Sequence, residues 1–267
     1  MPGYVEKKEK YLELAQAFVA LDDQRKAECV PRGSSFTGWT CGAEAFNGKR
    51  DSFKCSYYAT LGDQPEKLMS NVWPSSSWTL ADEFKSAYLD LAHLIFETGR
   101  GILPMLELNF GNLSAVGRML YYGPVPEGKD DGNPYWCGVH RDHGLFTGLI
   151  PSFYKKDGSF VPEPDGVGLH IRDREVNVPN DVIMFQVGEA ADLLTNQGII
   201  ATDHGVKKAY GGYERYSFAL FFAIDDDTRI YADRVDSQYQ SRFKNGMTYG
   251  EWCKASLERY AYNNTNP

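Results

Sequence analysis

The chain has 267 residues, of which 42% are hydrophobic and 24% charged, a composition typical of ordinary globular proteins. A chain of this length can bury a large core within one domain, since barrels and sandwiches commonly reach this size as single units. The formal net charge of -8 argues against nucleic acid as a partner, because neutralising phosphates requires a surplus of Lys and Arg.

The N-terminal part of the chain is predicted to combine helices with loop. Residues 5–29 place apolar side chains among Glu, Lys, Gln and Arg at helical spacing, which predicts an amphipathic helix. Residues 31–74 are rich in Gly, Ser and aromatic side chains, a composition that indicates loop with short strands. Polar residues near Thr79, followed by apolar residues at helical intervals, predict a second helix that Gly99 would end.

After residue 115 the sequence changes to short apolar or alternating runs separated by Gly, Pro, Asp and Asn. Strands at such regular spacing indicate a barrel or a two-sheet jelly roll. The run from Met247 to Tyr262 predicts one more helix. No linker divides the chain, so we predict a single domain over 1–267 with a helical and loop region (1–115), a jelly-roll core carrying the metal site (116–225) and a C-terminal helical tail (226–267).

Three side chains in the predicted core form a candidate metal site. In the tripeptide His140-Arg141-Asp142 the outer side chains point to one face of a strand, because the strand repeat is two residues. Such a tripeptide often arises by chance, but His204 lies in a run that can face the first strand in a rolled sheet. Two imidazoles and one carboxylate on one face of a metal leave positions open for ligands, as in non-heme Fe(II) enzymes.

The remaining histidines are less suited to bind a metal. His143 has the opposite strand parity to His140 and precedes a glycine, which favours a turn residue. His170 lies in a separate run without an acid of matching register. His93 lies within the second predicted helix, where a packed or exposed histidine is the simpler interpretation.

A candidate anchor for an anionic ligand follows His204 along the chain. Arg215 and Ser217, in the run "ERYSFALFF", share one face of a strand. Arg offers a planar fork of donors that matches a carboxylate, and inside an apolar sheet it is costly without an anion. The alternative, which the sequence leaves open, is an internal ion pair with an Asp or Glu.

The number and spacing of the cysteines and the lengths of the apolar runs indicate the cellular compartment. The five cysteines are odd in number and lack the spacing of zinc ligands, so neither a disulfide framework nor a zinc site is indicated, and we expect reduced thiols. No apolar run approaches the roughly 20 residues that span a bilayer, and the start of the chain lacks the pattern of a signal peptide. These features predict a cytoplasmic protein without a membrane partner.

The joint order of these motifs resembles the Fe(II)/2-oxoglutarate-dependent dioxygenases, specifically the branch with isopenicillin N synthase and the plant-type oxygenases. The similar segments cover about residues 18 to 225 and include "NVWP", "GRMLYYGP", "VHRDHGLFTGLIP", "VGEAADLLTNQGIIATDHGV" and "ERYSFALFF". Their order is more specific than any single motif. This chain departs from the family pattern at Leu120, where plant-type members often carry Asn, and at Arg141, which is unusual in the middle of the metal tripeptide.

The resemblance implies a mainly β fold with flanking helices and a double-stranded β-helix core of the jelly-roll, cupin-like type. The implied reaction uses Fe(II), 2-oxoglutarate and O2 to oxidise a small-molecule substrate and releases succinate and CO2, with hydroxylation favoured. The implied Fe(II) ligands are His140, Asp142 and His204. The implied contacts of the 2-oxoglutarate distal carboxylate are Arg215, Ser217 and Tyr122.

Three other functions stay open at this point. One is an oxidase of the isopenicillin N synthase type, in which the anchor holds the substrate's own carboxylate and 2-oxoglutarate is not consumed. Another is a catalytically silent ligand-binding barrel, against which an intact triad and anchor count. The third is a cupin-type zinc or manganese enzyme, whose His-x-His and trailing Glu pattern is missing. The loops that would select the substrate carry no interpretable code, and a monomer is the default expectation.

Overall fold

The alternating runs of the sequence form two facing β-sheets. The computed structural model describes residues 3–31, 37–46, 48–62, 71–110 and 112–258. Its strands are β1 (Gly38–Cys41), β2 (Ala45–Phe46), β3 (Lys49–Arg50), β4 (Lys54–Gly62), β5 (Leu113–Tyr122), β6 (Tyr135–His140), β7 (Phe146–Leu149), β8 (Phe153–Lys156), β9 (Ser159–Val161), β10 (Gly168–Ile171), β11 (Arg174–Glu175), β12 (Met184–Val187), β13 (His204–Lys207) and β14 (Glu214–Ile224). Its helices are α1 (Tyr4–Val19), α2 (Asp23–Glu28), α3 (Ala81–Ile102), α4 (Glu189–Leu194) and α5 (Tyr249–Leu257), with 3-10 turns at Leu103–Leu106 and Ser237–Tyr239.

The strands pair in an antiparallel manner within both sheets. The larger sheet has the order β1-β4-β5-β14-β7-β12, with β8 beside β14 and β9 beside β8. The smaller sheet has the order β11-β10-β13-β6, and β2 pairs with β3. Two packed antiparallel sheets of this kind form a jelly roll, so the predicted mainly β class with a double-stranded β-helix core is confirmed.

The larger sheet packs helices on one face and the smaller sheet on the other. Because side chains alternate along a strand, Met119 of β5 and Phe218 of β14 join the apolar core formed with α1 and α3. Their neighbours Leu120 and Ala219 face the opposite way and pack with Val206 of the smaller sheet. The helical face therefore supplies most of the apolar core, and the space between the sheets holds the polar side chains of the candidate site.

Two helix predictions are corrected by the structure. The helix predicted over 5–29 is divided into α1 and α2, because the side chain of Asp22 accepts a hydrogen bond of 2.8 Å from the backbone N–H of Arg25 and caps α2. The second helix, α3, continues past Gly99. A Cβ at this position would lie 2.3 Å from the ring of Phe222, so the glycine allows α3 to pack closely on β14.

The segment 31–74 is more regular than predicted, apart from 32–36, 47 and 63–70, which lie outside the described residues. Within it β4 is a nine-residue strand that pairs along its whole length with β5. Cys55 of β4 forms a disulfide with Cys41 of β1, its direct partner in register. The expectation of five reduced thiols is therefore wrong, because opposed residues of antiparallel strands can bring two cysteines within bonding distance.

The predicted C-terminal helix is α5, which begins with a capping box between Thr248 and Glu251. The indole N–H of Trp252 donates a hydrogen bond of 3.0 Å to the carbonyl of His143, so α5 packs on the loop that follows β6. Residues 259–267 of the predicted tail lie outside the described residues, and the division of the chain into three regions stays a prediction. No helix among the described residues is long and apolar enough to cross a membrane.

Candidate metal centre and anion site

The two candidate histidine ligands lie side by side at the ends of β6 and β13. His140 ends β6, His204 begins β13, and the two are direct partners with ring centroids 4.3 Å apart. The next pair is Val206 with Cys137, so β6 holds one more residue than β13 between the two pairs. This β-bulge lets Cys137 line the same cavity as His140 despite their odd spacing. Strand parity alone could not predict that position.

Asp142 lies in the loop after β6, which corrects the expectation that strand parity would orient it. Its carbonyl accepts a hydrogen bond of 2.7 Å from the N–H of Glu189, the first residue of α4, and the N–H of Gly188 donates to Leu145 at 2.7 Å. A Cβ at residue 188 would lie 2.1 Å from the carbonyl oxygen of Gly144, so glycine permits this close approach. The start of α4 therefore holds the loop that carries Asp142.

The three predicted metal ligands converge on one point. One candidate ligand atom from each of His140, Asp142 and His204 lies within 4.8 Å of the others. Oδ1 of Asp142 is 3.5 and 3.7 Å from the Nε2 atoms of His140 and His204. Each Nδ1 faces a backbone carbonyl, that of Gly138 at 2.8 Å and that of Thr202 at 3.2 Å. A proton on Nδ1 leaves both Nε2 lone pairs for a metal, so the donor set fits a cation bound by two imidazoles and a carboxylate.

Two residues that the sequence analysis missed hold the other oxygen of Asp142. The hydroxyl of Thr147 donates to Oδ2 at 2.5 Å, and Nε2 of Gln186 donates to it at 3.3 Å. The same amide nitrogen lies beside the ring of His204, 2.6 Å from Nδ1 and 3.1 Å from Nε2. The two hydrogen bonds to Oδ2 orient the Asp142 carboxylate. Their signal in the sequence is weak, because each is only a polar residue within an otherwise apolar run.

In the triad, the Asp142 carboxylate is ionised and the His140 ring carries an additional proton. Burial would raise the pKa of Asp142, but His204 and His140 outweigh burial and lower that pKa well below its usual range. Burial and repulsion from His140 lower the pKa of His204 to about 4. Burial would also lower the pKa of His140, but the Cys137 sulfur and Asp142 outweigh it and raise that pKa well above 6.5. A divalent cation could replace this proton and be stabilised by the same carboxylate.

Arg215 lies on the opposite wall, where β14 places it between its register partners Tyr122 and Tyr154. The centre of its guanidinium is 5.0 Å from the centroid of the Tyr122 ring, and one Nη donates to the hydroxyl of Ser152. Its Nε is buried and has no hydrogen-bond partner among the described residues. Glu163 attracts Arg215 at longer range, but among the described residues no carboxylate forms an ion pair with it. The internal ion pair that the sequence left open is therefore not observed there.

One cavity contains both groups. Its wall includes the three candidate metal ligands together with Tyr122, Ser152, Arg215 and Ser217. Arg215 and Ser217 thus share one face of β14, as the strand pattern predicts, and Ser152 was missed because it lies outside the motif. Most of the remaining wall is apolar and consists of Leu120, Leu149, Ile150, Leu169, Val176, Val178, Met184, Val206, Ala219 and Phe221.

The other histidines do not join the metal cluster found in the described residues. His93 is exposed on α3. His143 lies in the loop before Gly144, where its carbonyl accepts the hydrogen bond from Trp252. His170 is buried on β10, and its Nδ1 lies 3.0 Å from the carbonyl of Gly168.

No protein-family model matches the sequence, and no protein of assigned function matches it either. Solved structures do match the fold. A full-length Neurospora crassa protein, crystallised with alpha-KG and thymine, gives a TM-score of 0.67 at 19% identity over 97% of this chain and 85% of that chain. JOX2, crystallised with 2OG, Fe and JA, gives 0.68 at 19% identity over 96% of this chain and 74% of that chain. The rice dioxygenase for auxin oxidation gives 0.61 at 17% identity over 97% and 82%. The chain therefore shares the fold of these three proteins.

Proposed function

We propose that this protein is a non-heme Fe(II)- and 2-oxoglutarate-dependent oxygenase. It would oxidise a small molecule with O2, with hydroxylation as the favoured outcome, and release succinate and CO2. The observation that carries the proposal is the shared cavity, with a His, Asp and His cluster on one wall and, on the other, a buried guanidinium that forms no ion pair with a described carboxylate. The similar folds of the Neurospora crassa protein, crystallised with alpha-KG, and JOX2, crystallised with 2OG and Fe, support it.

In this proposal His140, Asp142 and His204 hold Fe(II) through two Nε2 atoms and Oδ1. When bound, Fe(II) supplies open coordination positions at which a cosubstrate and O2 can react. The side chains of Thr147 and Gln186 keep the Asp142 carboxylate turned toward the two imidazoles. The protein thus provides an oriented set of ligands before the cation arrives.

The cosubstrate anchor in this proposal is Arg215, with Ser217 and Tyr122 beside it. The unpaired Nε of Arg215 would donate to the distal carboxylate of 2-oxoglutarate, and the buried setting strengthens that interaction. The hydroxyls of Ser217 and Tyr122 line the same cavity and can donate to the remaining carboxylate lone pairs. The largely apolar wall excludes water from the reacting groups.

The proposed substrate is neutral and mainly apolar, with a hydrogen-bond acceptor. Arg118 lines the cavity and donates to the hydroxyl of Ser56 at 2.9 Å and to Glu44 at 2.6 Å. Glu44 also pairs with Lys54, whose other carboxylate partner is Asp51. The positive charges of Arg118 and Lys54 therefore balance the negative charges of Glu44 and Asp51. Nη1 of Arg118 has no hydrogen-bond partner among the described residues, which suits a carbonyl or hydroxyl oxygen of a substrate. The monomeric state and the cytoplasmic compartment stay predictions.

The test is an anaerobic titration of the Fe(II)-loaded protein with 2-oxoglutarate, followed by its weak visible charge-transfer absorption. We expect a saturable band in the wild type and its loss in Arg215→Ala, which retains the metal ligands. Iron binding without a band would contradict the use of 2-oxoglutarate and favour an oxidase that does not consume it. A protein that binds no iron would contradict the metal centre itself. Succinate release with candidate substrates then tests turnover.

A further inference from the structure

Both candidate histidine ligands lie at the ends of their strands. His140 is the last residue of β6 and His204 is the first of β13, and the β-bulge interrupts the regular ladder immediately inside this pair. Strand ends open more readily than strand interiors. The ladder between β6 and β13 therefore ends at the two histidines, whereas β13 stays paired with β10 through His204 and Ile171.

A half-buried ion pair links the two strands one residue beyond these histidines. Arg141 follows His140, Asp203 precedes His204, and the guanidinium of Arg141 reaches both carboxylate oxygens of Asp203, with Nε at 3.0 Å and Nη2 at 3.4 Å. Arg141 is 9% exposed but the Asp203 side chain is 40% exposed, so solvent screens this pair from the Asp203 side. A two-point contact between planar groups fixes their orientation as well as their distance.

The other edge of the guanidinium is held by the segment before α5. Nη1 of Arg141 donates to Asp236 at 3.1 Å and to the hydroxyl of Tyr239 at 3.3 Å. That hydroxyl in turn donates to Asp192 of α4 at 2.9 Å. Asp192 also accepts from the backbone N–H of Ala201, which leads into β13. The ion pair is therefore supported on the side away from the cavity.

We propose that Arg141 is a positioning residue that sets the separation of His140 and His204 through its two hydrogen bonds to Asp203. Its side chain does not line the cavity, so it acts through the backbone of the residues next to the two histidines. The inference rests on the proposed function in one respect, that these histidines bind a metal. It accounts for an arginine at the middle of the metal tripeptide, which neither the metal nor the cosubstrate uses.

The experiment is a titration of the metal-free, full-length protein with Co(II), whose visible bands report both occupancy and geometry. We expect Arg141→Gln and Asp203→Asn each to weaken Co(II) binding by about 10- to 100-fold and to change the band shape, as removal of supporting contacts does at other metal sites. The double variant should lose no more affinity than the single variants, because both remove the same contact. Circular dichroism and thermal unfolding confirm that each variant is folded at the titration temperature.

The matched control is Asp236→Asn, which removes a partner of Arg141 on its other edge and leaves the fork to Asp203. We expect reduced thermal stability with unchanged Co(II) affinity and spectrum. Wild-type affinity in Arg141→Gln and Asp203→Asn would show a purely structural role and overturn the inference, as would an equal loss in Asp236→Asn. Failure of the wild type to bind Co(II) would remove the metal centre and this inference together. Normal Co(II) behaviour without succinate release would contradict only the proposed reaction.

Discussion

Thr147 donates a hydrogen bond of 2.5 Å to Oδ2 of Asp142 and leaves Oδ1 facing the two histidine rings. The two oxygens of this carboxylate therefore have different partners. One oxygen is held by the protein, and the other is directed to the point where the ligand atoms converge. Because the loop is also fixed by the start of α4, both the backbone and the side chain of Asp142 are oriented without a cation.

Replacement of this carboxylate tests the metal centre. Asp142→Ala leaves two imidazoles and no anionic ligand, so we expect loss of Fe(II) binding and of succinate formation. Calorimetric titration with Fe(II) under anaerobic conditions and a succinate assay measure the two effects. Asp90→Ala, at an exposed position of α3, is the matched control and should behave as the wild type. Full activity in Asp142→Ala would reject the triad.

Removal of the Thr147 hydrogen bond should weaken Fe(II) binding less than removal of the Asp142 carboxylate. Thr147→Val keeps the shape of the side chain but removes the donor to Oδ2, so we expect Fe(II) affinity to fall by about tenfold. The comparison is with Thr60→Val, a buried threonine of β4 that does not line the cavity and should retain wild-type affinity. Equal affinities in the two variants would show that Gln186 alone orients the carboxylate.

A change at Arg215 should weaken the binding of 2-oxoglutarate without weakening the binding of Fe(II). Arg215→Lys keeps the charge but loses the planar fork, so a loss of about 1.5–3 kcal/mol in the contact would raise the Kd for 2-oxoglutarate by roughly 10- to 100-fold. Fe(II) affinity should stay unchanged, since Arg215 lies on the opposite wall. Anaerobic titrations measure both constants. Arg174→Lys on exposed β11 is the control, and a parallel loss of Fe(II) binding in Arg215→Lys would contradict the assignment.

The candidate metal ligands and candidate anchor residues were accessible to sequence reasoning because each belongs to a short pattern on a strand or next to one. His140, His204, Arg215 and Ser217 lie on strands as predicted, and their meeting follows from the rolling of two sheets. Thr147 and Gln186 could not be found in this way. Their role depends on which strand lies beside which, and this information is tertiary.

Two local patterns gave the wrong prediction for the same physical reason, that packing outweighs local preference. A glycine near a helix end commonly stops the helix, but Gly99 lies under the ring of Phe222 and α3 continues. Cysteine counting indicated free thiols, but the register of β1 and β4 places Cys41 opposite Cys55. Neither the partner ring nor the register is visible in a single sequence.

The ion pairs of Glu44 with Arg118 and Lys54 predict a specific dependence of stability on pH. Burial would raise the pKa of Glu44, but Arg118 and Lys54 outweigh it and lower that pKa. A depressed pKa contributes stability above the unfolded value of about 4.3 and loses it as the pH falls through the folded pKa. We expect Glu44→Gln to lower the free energy of unfolding by about 2 kcal/mol at pH 7. The difference from the wild type should shrink in urea titrations toward pH 3, and a constant difference would contradict the ionised pair.

The disulfide predicts a redox-dependent stability. Cys41 and Cys55 are 14 residues apart, and closing a loop of this size contributes roughly 3 kcal/mol in the chain-entropy account. We expect reduction to lower the free energy of unfolding by about 2–3 kcal/mol, as measured by urea denaturation with and without a phosphine reductant. The double variant Cys41→Ser/Cys55→Ser should match the reduced protein and show no response to reductant. Equal stability of the oxidised and reduced wild type would show that the bond does not stabilise the fold.

The two histidines belong to the smaller sheet, and Arg215 belongs to the larger one. The distance from these histidines to the guanidinium is consequently an inter-sheet spacing, kept by apolar residues such as Leu120 and Val206 that separate the walls. In the proposed function, a dicarboxylic acid that chelates the metal at one end and is anchored by Arg215 at the other must match this spacing in length. The proposal therefore makes selectivity among oxo acids of different chain length depend on hydrophobic packing, which could be altered without changing any polar residue of the site.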